Sequence, residues 1–142
     1  MLRLAALDAE DLGVLSVHLQ DAIIRVRDIH YSRRAQRLTL FANRFAWEAA
    51  ITSPVGGYQR RRSAITLDRI TAARSQRIMT GEPDGVLSLL ALQFEAAEEP
   101  SGTIVLRFAG GGEIRLDAEC IEVRLDDIGA VWSTRNLPEH DR

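Results

Sequence analysis

Lysine is absent from this chain of 142 residues, so all eighteen basic side chains are arginine. That excludes chemistry built on a lysine amine, such as a Schiff base or a P-loop lysine. It also gives every cation a planar fork that can pair bidentately with carboxylate or phosphate. Cysteine occurs once, at Cys120. A single cysteine excludes an intrachain disulfide and a cysteine-based zinc site. The three histidines, His18, His30 and His140, are scattered, and none has a second His or Cys at ligand spacing. His18 and Asp21 come nearest to a pair, and a solvated pair near a helix end accounts for them. No metal and no cofactor is therefore expected. No apolar run approaches the roughly 20 residues needed to cross a bilayer. Leu2, Leu4 and Leu7 are followed at once by Asp8, Glu10 and Asp11. That start is too acidic and too short for a signal peptide, so a cytoplasmic protein with no membrane contact is expected.

Charge is what the chain does have, and it is unevenly placed. Residues 25–77 hold twelve arginines against Asp28, Glu48 and Asp68, a net charge of +9. Residues 1–24 carry −3 and residues 78–142 carry −8, so a total of −2 hides a basic middle and an acidic C-terminal part. Such asymmetry marks a surface for an anionic partner, or two parts of one fold that neutralise each other. The length fits one domain, read here as residues 1–132, with a polar tail over 133–142.

Periodicity supplies the elements. Asp8 can cap a helix over about 8–20, because Leu12, Leu15, Leu19 and Ala22 share one helical face. The period then changes to two. Residues 22–32 and 37–47 read as paired strands around Arg33-Arg34-Ala35-Gln36. Apolar parity switches on both strands, near 27–28 and near 42–43, which predicts a bend through a bulge. Residues 49–62, with Pro54, Gly56 and Gly57, read as a long loop ending in Arg60-Arg61-Arg62. A strand is expected over Ser63–Thr71 and a second strand or turn to about Met79. Leu90, Leu92 and Phe94, then Ile104, Leu106 and Phe108, then Ile114, Leu116 and Ala118 alternate as a three-strand meander. Pairing 90 with 108, 92 with 106 and 94 with 104, then 108 with 114 and 106 with 116, keeps every apolar residue on one face. This register sets Arg107 opposite Arg115. Residues 117–129 fit a strand or a helix, and the reading adopted is strand to about Cys120 and then a short helix. The expected fold is α+β: a bent, mostly antiparallel sheet of about six or seven strands, rolled or barrel-like. An N-terminal helix and a short C-terminal helix accompany it.

Three stretches carry a resemblance. They are His18-Leu19-Gln20-Asp21-Ala22, Asn43-Arg44-Phe45-Ala46-Trp47-Glu48, and the run from Gly110 to Ile121. Together they resemble a bacterial domain-of-unknown-function family, number 2948, over Leu4 to Trp132. The resemblance implies a family label and no activity, cofactor or catalytic residue.

Catalytic signals are weak. Cys120, flanked by Glu119 and Glu122, lacks the cationic surroundings a reactive thiol needs. Gly-x-Ser-x-Gly, Walker and GxGxxG patterns are absent, and Gly110-Gly111-Gly112 reads as a hairpin turn. Glu119, Glu122, Asp126 and Asp127 read as a solvated face that partners arginine elsewhere. The arginine clusters remain. Arg33, Arg34, Arg60, Arg61 and Arg62 are the candidate contact surface, meeting those acids or an anionic partner. The function expected is a non-enzymatic interaction module, by protein–protein contact or self-association as a homo-oligomer. Binding of nucleic acid or another anionic ligand is one alternative, and an enzyme with an unrecognised site is another. A sequence pI near 5.9 weighs against nucleic acid.

Overall fold

A computed structural model describes residues 2–46, 58–129 and 132–134. The elements follow in chain order: β1 (Arg3–Ala6), α1 (Ala9–Leu19), β2 (Ala22–Ser32), β3 (Arg37–Phe45), β4 (Tyr58–Leu67), β5 (Ile70–Gln76), β6 (Val86–Ala96), β7 (Gly102–Phe108), β8 (Glu113–Ala118), β9 (Val123–Asp127) and β10 (Trp132–Thr134). Asp8 starts the helix as expected, its carboxylate accepting the Asp11 N–H at 2.8 Å. Glu10 and Asp11 in the first turn suit the positive end of the helix dipole. Leu12, Leu15 and Leu19 are buried, and the Ser16 hydroxyl accepts the Leu92 N–H of β6 at 2.9 Å. The helix is thus fixed to the sheet by both an apolar face and one directed bond.

Every strand pair is antiparallel, in the order β1-β9-β4-β3-β2-β6-β7-β8-β5, with β10 attached to β4. The mostly antiparallel sheet with an N-terminal helix is as expected, but among the described residues ten strands replace six or seven. The sheet is open, ending on β1 and β5, so it is not a closed barrel. Its extra strands have identifiable origins. Residues 3–6, for which the sequence predicts no element, form β1 against β9. Asp68 and Arg69 break the expected 63–71 strand in two, Arg69 adopting φ 63°. β4 also reaches back through Arg62, Arg61 and Arg60 to Tyr58, so these arginines lie on a strand and not on a loop. The rest of the expected loop, and Trp47, fall outside the described residues. The helix expected after Cys120 is replaced by β9, with Ile121, Val123 and Leu125 all buried. Among the described residues there is no C-terminal helix.

The bend in the first hairpin is real. Ile24 opposes Ala42 but Ile29 opposes Leu40, so residues 25–28 stand against Phe41 alone. The first part of β2 pairs both β3 and β6, and the second part pairs β3 only. On β3 the expected parity switch near 42–43 comes later. Leu38, Leu40, Ala42 and Arg44 are all buried before Phe45 and Ala46 join them.

The meander needs two corrections. Phe94 opposes Ile104 and Leu92 opposes Leu106, but a bulge between Leu89 and Ala91 puts Leu89 opposite Phe108. Leu90 is pushed outward and is 47% exposed. The next hairpin pairs Ile104 with Leu116 and Leu106 with Ile114, two residues from the expected register. An even shift preserves the buried face. It places Arg107 opposite Glu113 rather than Arg115, and an ion pair of 2.8 Å replaces a like-charge contact. Gly110 and Gly111, at φ 88° and 92°, make the turn, which this register centres on Gly110.

Candidate functional site

The alternation of β3, β4 and β9 brings polar side chains to one end of the core. Ala42, Ser63 and Asp127 lie on the inward face of these strands, and Arg44 opposes Arg61 one step further along. Arg44 and Asp127 have wholly buried side chains. Arg44 Nε donates to Asp127 Oδ1 at 2.9 Å and Nη2 donates to Oδ2 at 2.8 Å. Ser63 Oγ donates to Oδ1 at 2.6 Å, and the Leu2 N–H donates to Oδ2 at 2.9 Å. Arg61 Nε stands 3.9 Å from Oδ2. Burial alone pushes the Asp127 carboxyl up. The bonds from Arg44, Ser63 and Leu2, with the Arg44 charge, outweigh it and hold the group at about 2. This centre ties β1, β3, β4 and β9 together.

On the opposite face Arg60 and Arg62 stack over phenylalanines, with guanidinium carbons 5.9 Å from the Phe45 ring and 5.6 Å from the Phe41 ring. Arg60 Nη1 donates to the Asn43 carbonyl at 2.9 Å, and Arg62 pairs with Asp28 at 3.4 Å. Of the expected contact residues, Arg60, Arg61 and Arg62 thus all have partners within the fold. Arg33 and Arg34 lie in the exposed β2–β3 turn. The register Leu38–Leu67 to Phe45–Arg60 sets the two clusters at opposite ends of the β3–β4 ladder. At about 3.4 Å per residue, that separation is about 24 Å. The structure does not bring them together.

The acids divide likewise. Glu122 pairs with Arg69 at 3.6 Å and Asp126 with Arg3 at 3.9 Å, while Glu119 is exposed. Asp127 is buried, which corrects its reading as part of a solvated face.

Two hollows flank the turn that carries Arg33 and Arg34. A polar one of about 220 Å³ is lined by Ala35, Gln36, Arg37, Asp68, Arg69 and Glu122. Arg37 pairs with Asp68 there at 2.6 Å, beside the Arg69–Glu122 pair. Of the four arginines at this end, Arg37 and Arg69 thus have acid partners and Arg33 and Arg34 have none among the described residues, although Glu119 also lies here, its N–H donating to the Arg69 carbonyl at 3.0 Å. An apolar cleft of about 270 Å³ adjoins it, between β2 and β5. Tyr31 Oη donates to the Ile70 carbonyl at 2.9 Å, and the Ile70 N–H donates to the Gln36 carbonyl at 2.9 Å. These bonds separate the two hollows. Arg25, Arg33, Arg34, Arg77 and Arg124 make no ion pair among the described residues.

One family model, described as Protein of unknown function (DUF2948), matches residues 2–140. The chain belongs to the DUF2948 family. No curated protein and no solved structure matches it. The DUF2948 description names no chemistry, so the site rests on geometry alone. Among the described residues no three His, Cys, Asp or Glu side chains are grouped to hold a metal ion. Among the same residues no helix is long and apolar enough to cross a membrane. His30 is exposed on β2, and Asp21 lies past the end of α1 at φ 64°, so no shared helix face joins it to His18. What this DUF2948 chain offers is a buried structural ion pair at one end and, among the described residues, arginines without acid partners at the other. The buried centre was missed in the sequence. Its signal was there: Leu38, Leu40, Ala42 and Arg44 keep one parity, as do Val123, Leu125 and Asp127.

Proposed function

We propose that the chain is a non-enzymatic binding module that takes an acidic protein surface at the end of the sheet carrying Arg33 and Arg34. The observation behind this reading is the imbalance beside the polar hollow. Arg37 and Arg69 already have Asp68 and Glu122, whereas Arg33 and Arg34 are exposed and have no acid within the described residues. Exposed guanidinium groups are suited to carboxylates, steering and orienting a partner more than they tighten it. The partner is another protein or a second copy of the chain, whose residues 78–142 carry −8.

The test is binding to polyglutamate, measured by anisotropy at low and physiological salt. Arg33→Glu with Arg34→Glu is expected to weaken it at least tenfold, while Arg60→Gln leaves the affinity unchanged if the variant folds. Equal affinity for the native chain and the double variant would sink the reading. Light scattering separates the two partners: a dimer at micromolar concentration, lost in the double variant, assigns the acids to a second copy. Strong, salt-sensitive retention of single-stranded DNA in preference to polyglutamate would move the assignment to nucleic acid.

A further inference from the structure

The junction between β5 and the second half of β2 is unlike the other strand junctions. β5 pairs with β8 on one side only, and β2 beyond Arg27 pairs with β3 only. Two strand edges therefore border one apolar cleft of about 270 Å³. Val26, Ile29 and Tyr31 form one bank, Ala73 and Ser75 the other, above Ile114. The register sets Ala73 opposite Leu116 and Ser75 opposite Ile114, so both point to the core side, yet both are exposed. Their side chains are too small to close the roll. The seam is tied only at its ends. Tyr31 and Gln36 bond Ile70 at one end, and Val26 and Arg27 N–H groups bond the Gly85 and Pro83 carbonyls at the other.

An open edge is normally guarded by shortness, proline, a bulge or an inward charge. β1, the other terminal strand, has four residues. β5 has seven, with no proline, and after a register shift between Ile70 and Ala72 its pairing runs evenly over Ala72–Gln76. Its one charged residue, Arg74, is held by both oxygens of Asp117 at 2.9 and 3.2 Å. The cleft is smaller than the roughly 300–1,000 Å³ of pockets that enclose a whole small molecule. It suits the side chains of an extended segment. Charge without an acid partner among the described residues stands at the Gln36 end, in Arg33 and Arg34, whereas the Arg77 side chain, just past β5, lies against Gly111 on the β8 side of the strand.

We propose that an extended segment of a partner protein, apolar at alternate positions and acidic at the flank beside Arg33 and Arg34, adds as a strand to β5 in this seam. Its backbone pairs with the β5 edge, its apolar side chains enter the cleft, and its acidic flank meets Arg33 and Arg34. The flanking charges rest on the binding reading given above, whereas the strand addition rests on the open edge.

The experiment uses the full chain and a labelled peptide of alternating valine and threonine between glutamates, with polyglutamate as the charge-only probe. Anisotropy gives the affinities and hydrogen exchange locates the contact. Ala73→Phe, which fills the cleft, is expected to weaken the valine peptide at least tenfold and leave polyglutamate binding unchanged. N-methylation of the peptide along its pairing edge is expected to do the same without altering the protein. New protection is expected at residues 71–76. The strand proposal is overturned if the methylated peptide binds as well as the parent, or if protection appears elsewhere. It is also overturned if the native chain protects these residues by dimerising without peptide. Binding of the valine peptide without binding of polyglutamate would remove the charge reading and keep the strand. The reverse would remove the strand and keep the charge.

Discussion

Arg44 sits where the alternation of β3 calls for an inward side chain, and the fold accommodates a charge there by supplying Asp127. Removing one partner of such a pair leaves the other charge buried, which typically costs about 3–5 kcal/mol, whereas replacing both with apolar groups is often near neutral. Arg44→Met is expected to lower unfolding stability by about 3–5 kcal/mol in urea. Arg44→Met with Asp127→Leu should recover most of that loss. A double variant as unstable as the sum of the singles would show that the two residues act separately. The same centre sets an acid response. The Asp127 carboxyl lies at about 2, below its ordinary 3.8, so its contribution is complete above the unfolded value. It is lost as pH falls through roughly 4 to 2, and the difference corresponds to about 2 kcal/mol. Asp127→Asn should flatten the fall in stability across that window. An unchanged slope would mean that other carboxylates govern it.

Glycine spacing decides one hairpin. A Cβ on Gly102 would lie 2.5 Å from both the Glu95 carbonyl oxygen and the Phe94 ring, where β7 starts beside β6. Gly102→Ala is expected to cost about 1–3 kcal/mol through this overlap, seen as a lower urea midpoint with an unchanged slope. A neutral result would mean that the β6–β7 turn gives way freely. Much of this element level was legible beforehand. The helix, the β2–β3 hairpin with its turn, and the Phe94–Ile104 and Leu92–Leu106 pairs follow from period and from register that keeps one face apolar. What escaped had physical reasons. Leu90 fits the alternation as well as Leu89 does, and only the bulge, with the helix bonded beside it, chooses between them. An even register shift leaves hydrophobic patterning unchanged, so Arg107 could not be assigned to Glu113 from the pattern alone. Arg60, Arg61 and Arg62 resemble a loop cluster because polar alternation on a strand that closes over charge carries no apolar signal. Ile121, Val123 and Leu125 fit two periods at once, and the pairing of Val123 and Leu125 with β4 on β9 settles the choice.

Across the whole molecule, the basic middle and the acidic C-terminal part neutralise each other in part within one chain. Arg44 and Arg61 face Asp127, Arg69 faces Glu122, and Arg74 faces Asp117. This pairing makes the fold dependent on its carboxylates remaining ionised. Near neutral pH the net charge is only −2, so long-range repulsion is small and added salt should change stability little. In acid the twenty carboxyl groups lose charge while all eighteen arginines keep theirs, and the chain becomes strongly cationic. Self-repulsion then opposes the compact state, and salt screens it over a Debye length of roughly 10 Å at 0.1 M. Thermal unfolding followed by circular dichroism should therefore show a marked rise in midpoint with added sodium chloride near pH 3, and almost none near pH 7. Arg33→Gln with Arg34→Gln should lessen the acid sensitivity, because it removes two charges that no described acid offsets. Equal salt effects at the two pH values would show that short pairs such as Arg44–Asp127, rather than overall charge, control stability in acid.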